Sequence, residues 1–262
     1  MPSITNLPNN SDITDEDRLR FARQIILPEI GIEGQARLKQ ASVLVVGAGG
    51  LGSSALLYLA AAGVGRIGIV DPDKVELDNL HRQVIHGTST LGELKTESAR
   101  RRLSDLAPQA QIDSYPQSFS ESNAEGLARP YHILLDATDN LAARKLINRV
   151  CIRQQKPMVF GSVLRFEGQV SVFDAHRGPC YRCIFPDLPD SGAIESPSEA
   201  GVFGPLPGII GSLQALETLK ILLGAGEPLI GRLLIFDGLF GRFEEVNLRK
   251  NPRCPECDNP SG

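Results

Sequence analysis

Four of the five cysteines fall into two Cys-x-x-Cys pairs that lie far apart in the sequence. The pairs are Cys180 with Cys183 and Cys254 with Cys257. Each pair can place two thiolates on one turn, and two such turns complete a tetrahedral, structural zinc site. A thioredoxin-like redox pair is the alternative, but that motif begins a helix in a βαβ unit, and neither pair is predicted to do so. The fifth cysteine, Cys151, falls within an apolar helical pattern and is interpreted as a core residue.

A glycine-rich segment has the spacing G-x-G-x-x-G, with Gly47, Gly49 and Gly52 as its glycines. A predicted strand precedes it and a predicted helix follows, which is the context of a phosphate-binding turn at a helix N-terminus. Asp71 ends the next predicted strand, 19 residues after Gly52, where its carboxylate can accept hydrogen bonds from ribose hydroxyls. On its own this pattern favours an NAD-dependent oxidoreductase, and a tight turn without a ligand is the alternative.

The loop and helix that follow Asp71 carry groups better suited to a nucleoside triphosphate than to a nicotinamide. Asn79, Arg82 and Gln83 lie in the loop. Lys95 opens the next predicted helix, where a cation is unfavourable to the helix dipole, so we expect it to serve a bound anion. Taken singly, either cation is more typical of a solvated surface charge, and only the whole set favours a triphosphate.

A third polar group lies at the carboxyl end of a later predicted strand, in the segment Asp136-Ala-Thr-Asp139-Asn140. Ligand sites of α/β proteins lie at this edge of the sheet. The carboxylate of Asp139 can hold Mg²⁺, a hard cation that prefers carboxylate and phosphate oxygens, and Asn140 lies beside it. The three features together predict a site for a nucleoside triphosphate with Mg²⁺.

The composition of the chain narrows the class of protein. Its 262 residues fit one large α/β domain, and a formal net charge of −4 gives a general nucleic-acid-binding role no electrostatic support. No apolar stretch reaches the roughly 18 residues of a membrane span. The polar, acidic N-terminus does not have the pattern of a secretory signal. Paired cysteines without an export signal indicate a reducing cytoplasm.

Strands and helices alternate along the first part of the chain, which predicts parallel βαβ units with right-handed crossovers. We expect strands at 42–46, 66–70, 111–115, 132–136 and 157–160, and helices at 15–26, 34–40, 51–62, 93–106, 120–128 and 141–154. Beyond these we expect antiparallel strands at 168–174, 233–237 and 243–248, and an apolar helix at 208–223.

The predicted fold is α/β, a single unit over residues 1–262. It is a Rossmann-like, doubly wound, mainly parallel sheet with an antiparallel C-terminal extension that carries the four-cysteine zinc site. Residues 1–13 are expected to be flexible. Residues 186–207 are rich in Pro, Ser, Gly and acidic residues, and are expected to form a mobile loop of functional size.

The chain resembles the ThiF/MoeB/HesA family, bacterial relatives of the ubiquitin-activating enzymes, over nearly its whole length. The matching segments are Arg23-Gln-Ile-Ile, GAGGLG, AAAGVG, NLHRQ, ATDN, Phe166-Glu-Gly-Gln, PCYRC, Glu199-Ala-Gly-Val and Gly211-Ser-Leu-Gln-Ala-Leu-Glu. The resemblance implies that AMP from ATP is joined to the C-terminal glycine carboxylate of a ubiquitin-like sulfur carrier protein ending in Gly-Gly, with release of pyrophosphate.

The resemblance also implies roles for individual residues. Gly50 would lie against the phosphates, Asp71 would hold the ribose, and Asp139 would coordinate Mg²⁺. The triphosphate would be engaged by Asn79, Arg82 and Lys95. Arg23 would reach into the active site of a neighbouring subunit, which implies a homodimer.

One position departs from the family pattern. Some members carry a cysteine two residues before the position of Glu199, and this chain has Pro197 there. The neighbouring serines are not plausible substitutes, because a hydroxyl without a base is a poor nucleophile. We therefore expect no covalent intermediate through this loop. No rhodanese-like domain follows the second cysteine pair, so a separate sulfur donor, a rhodanese or a cysteine desulfurase, is expected.

Three alternatives to carrier activation remain open from the sequence. They are another carboxylate substrate such as a peptide C-terminus, an NAD-dependent oxidoreductase, and a non-catalytic scaffold that binds a carrier. The cysteine pairs and the FEGQ segment favour a carrier protein as substrate, and the set of Arg82, Lys95 and Asp139 argues against a scaffold. The pathway that the carrier serves, whether molybdopterin, thiamine or another sulfur-containing metabolite, is also open.

Overall fold

One eight-stranded sheet runs through the described part of the molecule, which a computed structural model gives as residues 13–186 and 201–258. Its strands are β1 (Ser42–Val46), β2 (Arg66–Val70), β3 (Gln111–Tyr115), β4 (Ile133–Asp136), β5 (Met158–Leu164), β6 (Glu167–Phe173), β7 (Arg232–Asp237) and β8 (Arg242–Asn247). Their order across the sheet is β3-β2-β1-β4-β5-β6-β7-β8. All pairs from β3 to β5 are parallel, and those from β5 to β8 are antiparallel. The predicted fold class is confirmed.

Helices cover both faces of this sheet. They are α1 (Asp15–Arg20), α2 (Ala22–Ile25), α3 (Gly31–Gln40), α4 (Gly50–Ala61), α5 (Lys95–Leu106), α6 (Ala124–Ala128), α7 (Leu141–Arg153), α8 (Tyr181–Ile184) and α9 (Pro205–Leu223). Successive residues of a strand point to opposite faces. Val43 and Val45 of β1 therefore join one core cluster with α4, α5 and α9, while Leu44 and Val46 join another with α6 and α7. Burial on both faces explains why β1 is apolar from Val43 to Val46.

The two most apolar helices, α4 and α9, pack directly against each other. A Cβ atom on Gly211 of α9 would lie 2.2 Å from the carbonyl oxygen of Leu51 in α4, so only glycine fits there. Within the described residues, α9 alone is long and apolar enough to cross a membrane. It is a core helix of this sheet, because residues such as Leu206, Ile210 and Leu222 are buried in the same cluster as β1.

Several predicted boundaries differ from the structure. Phe21 interrupts the predicted helix at 15–26, and its buried ring separates α1 from α2, whereas Leu19 and Ile26 are exposed. Ile13 is buried and Thr14 caps α1, so residue 13 does not belong to a flexible tail; residues 1–12 lie outside the described residues.

The predicted end of the mobile loop at 186–207 lies inside a helix of the structure. Helix α9 begins at Pro205, because proline suits the first turn of a helix, where the N–H is unpaired anyway. Residues 187–200 lie outside the described residues, and Pro197 falls among them. The predicted strand at 157–160 is longer in the structure, where β5 continues to Leu164.

Candidate functional site

The glycine turn lies between β1 and α4, next to the loop that follows β4. Strand order reverses between β1 and β4, and the crevice at such a switch point is the usual ligand site of open α/β sheets. Gly47 has a φ of +104°, and a Cβ atom there would lie 2.5 Å from the Ala137 carbonyl oxygen. A Cβ atom on Gly52 would lie 2.1 Å from the Gly47 carbonyl oxygen. Glycine is therefore required at both positions.

Helix α4 begins at the glycine turn without a side-chain cap. Gly49 occupies the N-cap position, and its N–H makes no hydrogen bond to a described residue. Unpaired N–H groups and the positive end of the helix dipole suit a phosphate oxygen. Gly50 packs closely against the start of α9, because a Cβ atom there would lie 2.9 Å from Cβ of Pro207.

Asp71 fixes the backbone of the glycine turn. Its Oδ2 atom accepts a hydrogen bond from the Ala48 N–H at 2.8 Å, and its Oδ1 atom accepts one from the Asp73 N–H at 2.9 Å. Burial raises the pKa of the Asp71 carboxyl, and the two N–H groups and Lys95 oppose that shift. A carboxylate can accept about four hydrogen bonds, so these two leave capacity for ribose hydroxyls.

The loop after β2 brings two amide side chains toward the turn. Asn79 serves the loop itself, because its Oδ1 atom accepts from the Glu76 N–H at 3.3 Å and its amide donates to Asp78 at 2.8 Å. Gln83 is buried, its amide nitrogen would lie 3.8 Å from a Cβ atom on Gly49, and its Oε1 atom has no hydrogen-bond partner. A buried acceptor without a donor is costly, so a ligand donor fits there.

The two predicted cations of the site differ in burial. Lys95 is buried at the first position of α5, and its ammonium lies 3.0 Å from Oδ2 of the exposed Asp73. Arg82 is half-buried and donates to the Asp78 carbonyl at 2.8 Å. The ion pair of a buried ammonium with an exposed carboxylate contributes little stability. Lys95 can therefore turn toward an incoming anion with little loss of electrostatic stabilisation.

The segment after β4 holds two carboxylates in opposite environments. Asp136 is fully buried and accepts from Nε of Arg144 at 2.8 Å and from the Thr138 hydroxyl at 2.6 Å. Asp139 is exposed and makes no hydrogen bond or ion pair with any described residue. Asn140 caps α7 through its Oδ1 atom, which accepts from the Ala143 N–H at 2.8 Å. The sequence did not predict the Asp136–Arg144 pair, although its two members flank the predicted loop.

The four cysteines of the two pairs converge on one point. Their Sγ atoms all lie within 4.8 Å of one another, with separations of 3.7 Å for Cys180–Cys183, 3.6 Å for Cys180–Cys254 and 3.4 Å for Cys183–Cys257. Tetrahedral zinc with Zn–S bonds of about 2.3 Å requires sulfur atoms about 3.8 Å apart. The cluster therefore fits zinc, and it is the one such group within the described residues.

The first pair has one feature that the sequence did not predict. Cys180 is the N-cap of the four-residue helix α8, which follows the antiparallel strand β6 and is not part of a βαβ unit. The first pair also differs from a redox pair, because each of its sulfur atoms has a neighbour from the other pair at 3.6 Å or less. A fourfold cluster of thiols, and no disulfide among the five described cysteines, is the arrangement of a metal site.

Asn148 of α7 connects both cysteine turns to the body of the protein. Its Oδ1 atom accepts from the Tyr181 N–H at 2.9 Å, and its amide donates to the carboxylate of Glu256. Asn148 is buried, and so are Cys180 and Cys254, which pack on Ile152. This support for the ligands was not predictable from the cysteine spacing.

Comparison with known sequences decides the family. A sequence model of the ThiF family matches residues 21–256. This chain belongs to the ThiF family. A protein of Thermus thermophilus named Sulfur carrier protein adenylyltransferase is 50% identical over 254 residues, which is 95% of this chain and 94% of that protein. Adenylyltransferase and sulfurtransferase MOCS3 of Culex quinquefasciatus is 50% identical over 260 residues, 98% of this chain but 58% of that protein. The chain thus spans little more than half of MOCS3.

Solved structures of other proteins share the ThiF-family fold of this chain. The E. coli protein MccB, in a structure described as containing ATP, superposes with a TM-score of 0.80. The match covers 92% of this chain and 75% of MccB at 21% sequence identity. At that identity the likeness concerns the fold alone.

In this ThiF-family chain the structure brings most of the predicted nucleotide residues to one edge of the sheet. The glycine turn contacts Asp71, Gln83 and the loop after β4, and Lys95 lies near enough to influence the Asp71 carboxyl. Arg23 is the exception. It lies exposed on α2 and makes no hydrogen bond or ion pair with a described residue.

Proposed function

We propose that this chain is an ATP-dependent adenylyltransferase that activates the C-terminal glycine carboxylate of a ubiquitin-like sulfur carrier protein. The observation that carries the proposal is the set of groups at the switch point: an uncapped helix start at Gly50, the buried cation Lys95 and the unpartnered carboxylate Asp139. The name of the Thermus thermophilus relative, at 50% identity over 95% of this chain, supports both the reaction and the substrate class.

In the proposed reaction a carboxylate oxygen of the carrier attacks the α-phosphorus of ATP. The new bond gives an acyl-adenylate, and the bond between the α-phosphorus and the bridging oxygen breaks to release pyrophosphate. Negative charge grows on the phosphate oxygens in the transition state. The N–H groups at the start of α4, with Lys95 and Arg82, would stabilise that charge more than the ground state. Asp71 would hold the ribose, and Asn79 and Gln83 would support the loop beside it.

Asp139 would hold Mg²⁺, which supplies neutralisation of phosphate charge when bound. A lone exposed carboxylate fits this role, because Mg²⁺ keeps several waters and takes one or two carboxylates together with substrate phosphates. Asn140 would contribute mainly through its cap on α7, which orients the Asp139 loop. The cysteine cluster would hold Zn²⁺ in a closed, structural site, because four sulfur ligands leave no open position for catalysis.

Further parts of the proposal concern assembly and partners. Arg23 would complete the site of a second subunit in a homodimer, which accounts for an exposed arginine without a partner among the described residues of its own chain. Sulfur would come from a separate donor, a rhodanese or a cysteine desulfurase. The chain would act as one adenylation unit in the cytoplasm, where cysteines stay reduced.

ATP–pyrophosphate exchange tests this proposal. Wild-type protein should exchange label only when a carrier ending in Gly-Gly is present, and a carrier lacking its last glycine is the matched control. Asp139→Asn should lower the exchange rate by about 10²–10³-fold, because it removes a charge that holds the metal against the phosphates. Exchange that ignores the carrier, or that survives in Asp139→Asn, would contradict the proposal.

A further inference from the structure

We infer that His86 is a positioning residue that fixes the direction of a phosphate-binding N–H group and ties the glycine turn to the helix of Lys95. The inference rests on the proposed function, which supplies the nucleotide. His86 lies outside the residues that the sequence pattern singled out. It lies in the segment that connects β2 to α5, and its side chain is buried.

The imidazole of His86 bridges two elements of the site. Its Nε2 atom lies 2.9 Å from the carbonyl oxygen of Ala48, in the middle of the glycine turn. Its Nδ1 atom lies 2.9 Å from Oγ of Ser98. Ser98 is three residues after Lys95 on α5, so it lies on the same face of that helix. One ring therefore connects the element that offers N–H groups to the element that carries the buried ammonium.

The partners determine which nitrogen of His86 carries the proton. A carbonyl oxygen can only accept a hydrogen bond, so Nε2 is the donor to Ala48. In the neutral ring Nδ1 is then an acceptor, and it shares the single Ser98 hydroxyl proton with Oγ1 of Thr90, to which Ser98 donates at 3.0 Å. Burial lowers the pKa of His86, and the positive charge of Lys95 lowers it further, which is consistent with a neutral ring at pH 7. A locked tautomer holds the ring in one orientation.

The contact with Ala48 controls the N–H of the next residue. In a planar trans peptide the carbonyl of Ala48 and the N–H of Gly49 point in opposite directions, and the described chain has no cis peptides. With the carbonyl held by His86, the Gly49 N–H must point away from the ring. That N–H makes no hydrogen bond to a described residue. The preceding peptide is fixed separately, because the Ala48 N–H donates to Asp71 at 2.8 Å.

Side-chain sterics do not provide this control at Gly49. The nearest atom to a Cβ placed on Gly49 would be the Gln83 amide nitrogen, at 3.8 Å. A glycine with only this one ordinary van der Waals contact has no steric restraint on the peptide before it. Without the hydrogen bond from His86, the peptide between Ala48 and Gly49 would sample orientations in which its N–H no longer faces the phosphate. The nucleotide would then have to select one of them and bind more weakly.

Two substitutions separate the two contacts of the ring. Glutamine places its amide nitrogen near the position of Nε2, so His86→Gln keeps the donor to Ala48. Asparagine reaches only the position of Nδ1, so His86→Asn keeps a contact with Ser98 and loses Ala48. We expect His86→Asn to raise the dissociation constant and the KM for Mg-ATP about three- to tenfold, the effect of one lost hydrogen bond. His86→Gln should stay within about twofold of wild type.

Calorimetric titration with Mg-ATP, without any carrier, is the decisive readout. A merely structural role would lower the fraction of binding sites and leave the affinity of the folded molecules unchanged, whereas the positioning role lowers the affinity at full stoichiometry. If His86→Asn does not fold, Ser98→Ala remains. It removes the contact that orients the ring through Nδ1, while the donor to Ala48 stays, and it should weaken Mg-ATP binding about twofold. Equal affinity in wild type and His86→Asn, or equal losses in both substitutions, would overturn the inference.

The same titration distinguishes this inference from the proposed function. Wild-type protein that binds Mg-ATP but shows no carrier-dependent exchange would overturn the carrier proposal, while a weaker His86→Asn would still support the role of His86. Wild-type protein that does not bind Mg-ATP would overturn both.

Discussion

Two aspartates three residues apart illustrate how the environment of a side chain assigns its role. Asp136 is fully buried, and its charge is matched by Arg144, which also donates to the carbonyl oxygens of Thr138 and Gly161. Asp139 is exposed and has no partner among the described residues. The first carboxylate shapes the loop, and the second is available to a cation. The sequence marks both as acidic residues at a strand end, and only burial and partners separate them.

Arg144 should be among the most stabilising side chains of the loop. Arg144→Met leaves the Asp136 carboxylate buried and unpaired, so the free energy of unfolding should fall by about 3–5 kcal/mol. Arg149 on the same helix is half-exposed and pairs with the exposed Glu121. Arg149→Met should therefore change the free energy of unfolding by less than about 1 kcal/mol. Urea unfolding measures both. Equal effects of the two substitutions would contradict the role given to the buried pair.

The sequence indicates candidate site residues better than it indicates their partners. A glycine spacing, a strand-ending aspartate and two cysteine pairs are visible in the sequence. The structure brings the aspartate to the glycine turn and, separately, the two cysteine pairs to each other. The contacts that hold them are not visible, because they join residues distant in sequence: Lys95 with Asp73, Asn148 with Glu256 and His86 with Ala48. No single-sequence pattern connects such positions.

At the scale of secondary structure, β1, β2 and β3 were predicted to the residue, and for the buried β1 and β2 the reason is that short, mostly apolar runs bounded by turns are typical of buried strands. The N-terminal helix was not, since Phe21 is buried where the helix is interrupted while Leu19 is 83% exposed. The start of α9 was missed because prolines and glycines resemble a loop in sequence, although proline is favoured in the first helical turn.

The segment between β2 and α5 contains a buried histidine, which predicts a pH dependence of stability. Burial holds the pKa of His86 below its ordinary value of 6.5, and the same holds for His132 near Lys156. A group whose pKa is lower when folded contributes stability that is present above the unfolded pKa and is lost as the pH falls. The free energy of unfolding should therefore decrease from about pH 6.5 to pH 5.

Urea titrations at several pH values test this dependence. His86→Gln removes one of the two groups, so its stability should fall less steeply than that of wild type over the same interval. His132 remains as the internal comparison, because it lies at the opposite end of β4 from the site. An identical slope in His86→Gln and wild type would show that His86 keeps its ordinary pKa in the fold, contrary to its burial.

At the scale of the whole molecule, one sheet combines two structural tasks. Its parallel half presents the proposed nucleotide residues at the carboxyl ends of β1, β2 and β4. Its antiparallel half leads to a C-terminal segment that the second cysteine pair attaches to the body of the protein. Tyr181, between the two cysteines of the first pair, donates its backbone N–H to Oδ1 of Asn148 on α7. The cysteine cluster therefore supports the same helix that carries the Asp139 loop.

Removal of the metal should release this attachment. Purified protein should contain about one zinc per chain, and Cys254→Ser should lose it and expose the segment after β8 to proteolysis. Cys151→Ala is the matched control, because Cys151 is buried in α7 away from the cluster and should retain full zinc. Elemental analysis and limited proteolysis read out the two effects. A disulfide in place of zinc, or full zinc in Cys254→Ser, would contradict the four-cysteine site.

The most direct test of the account is to trap the activated carboxylate. Carrier protein ending in Gly-Gly, Mg-ATP and this protein are incubated with hydroxylamine, which converts an acyl-adenylate into a stable hydroxamate that intact-mass spectrometry detects. We predict a hydroxamate on the terminal glycine, dependent on ATP and strongly reduced in Asp139→Asn. A carrier that stays unmodified while the protein binds Mg-ATP would contradict the proposed adenylation of a carrier C-terminus.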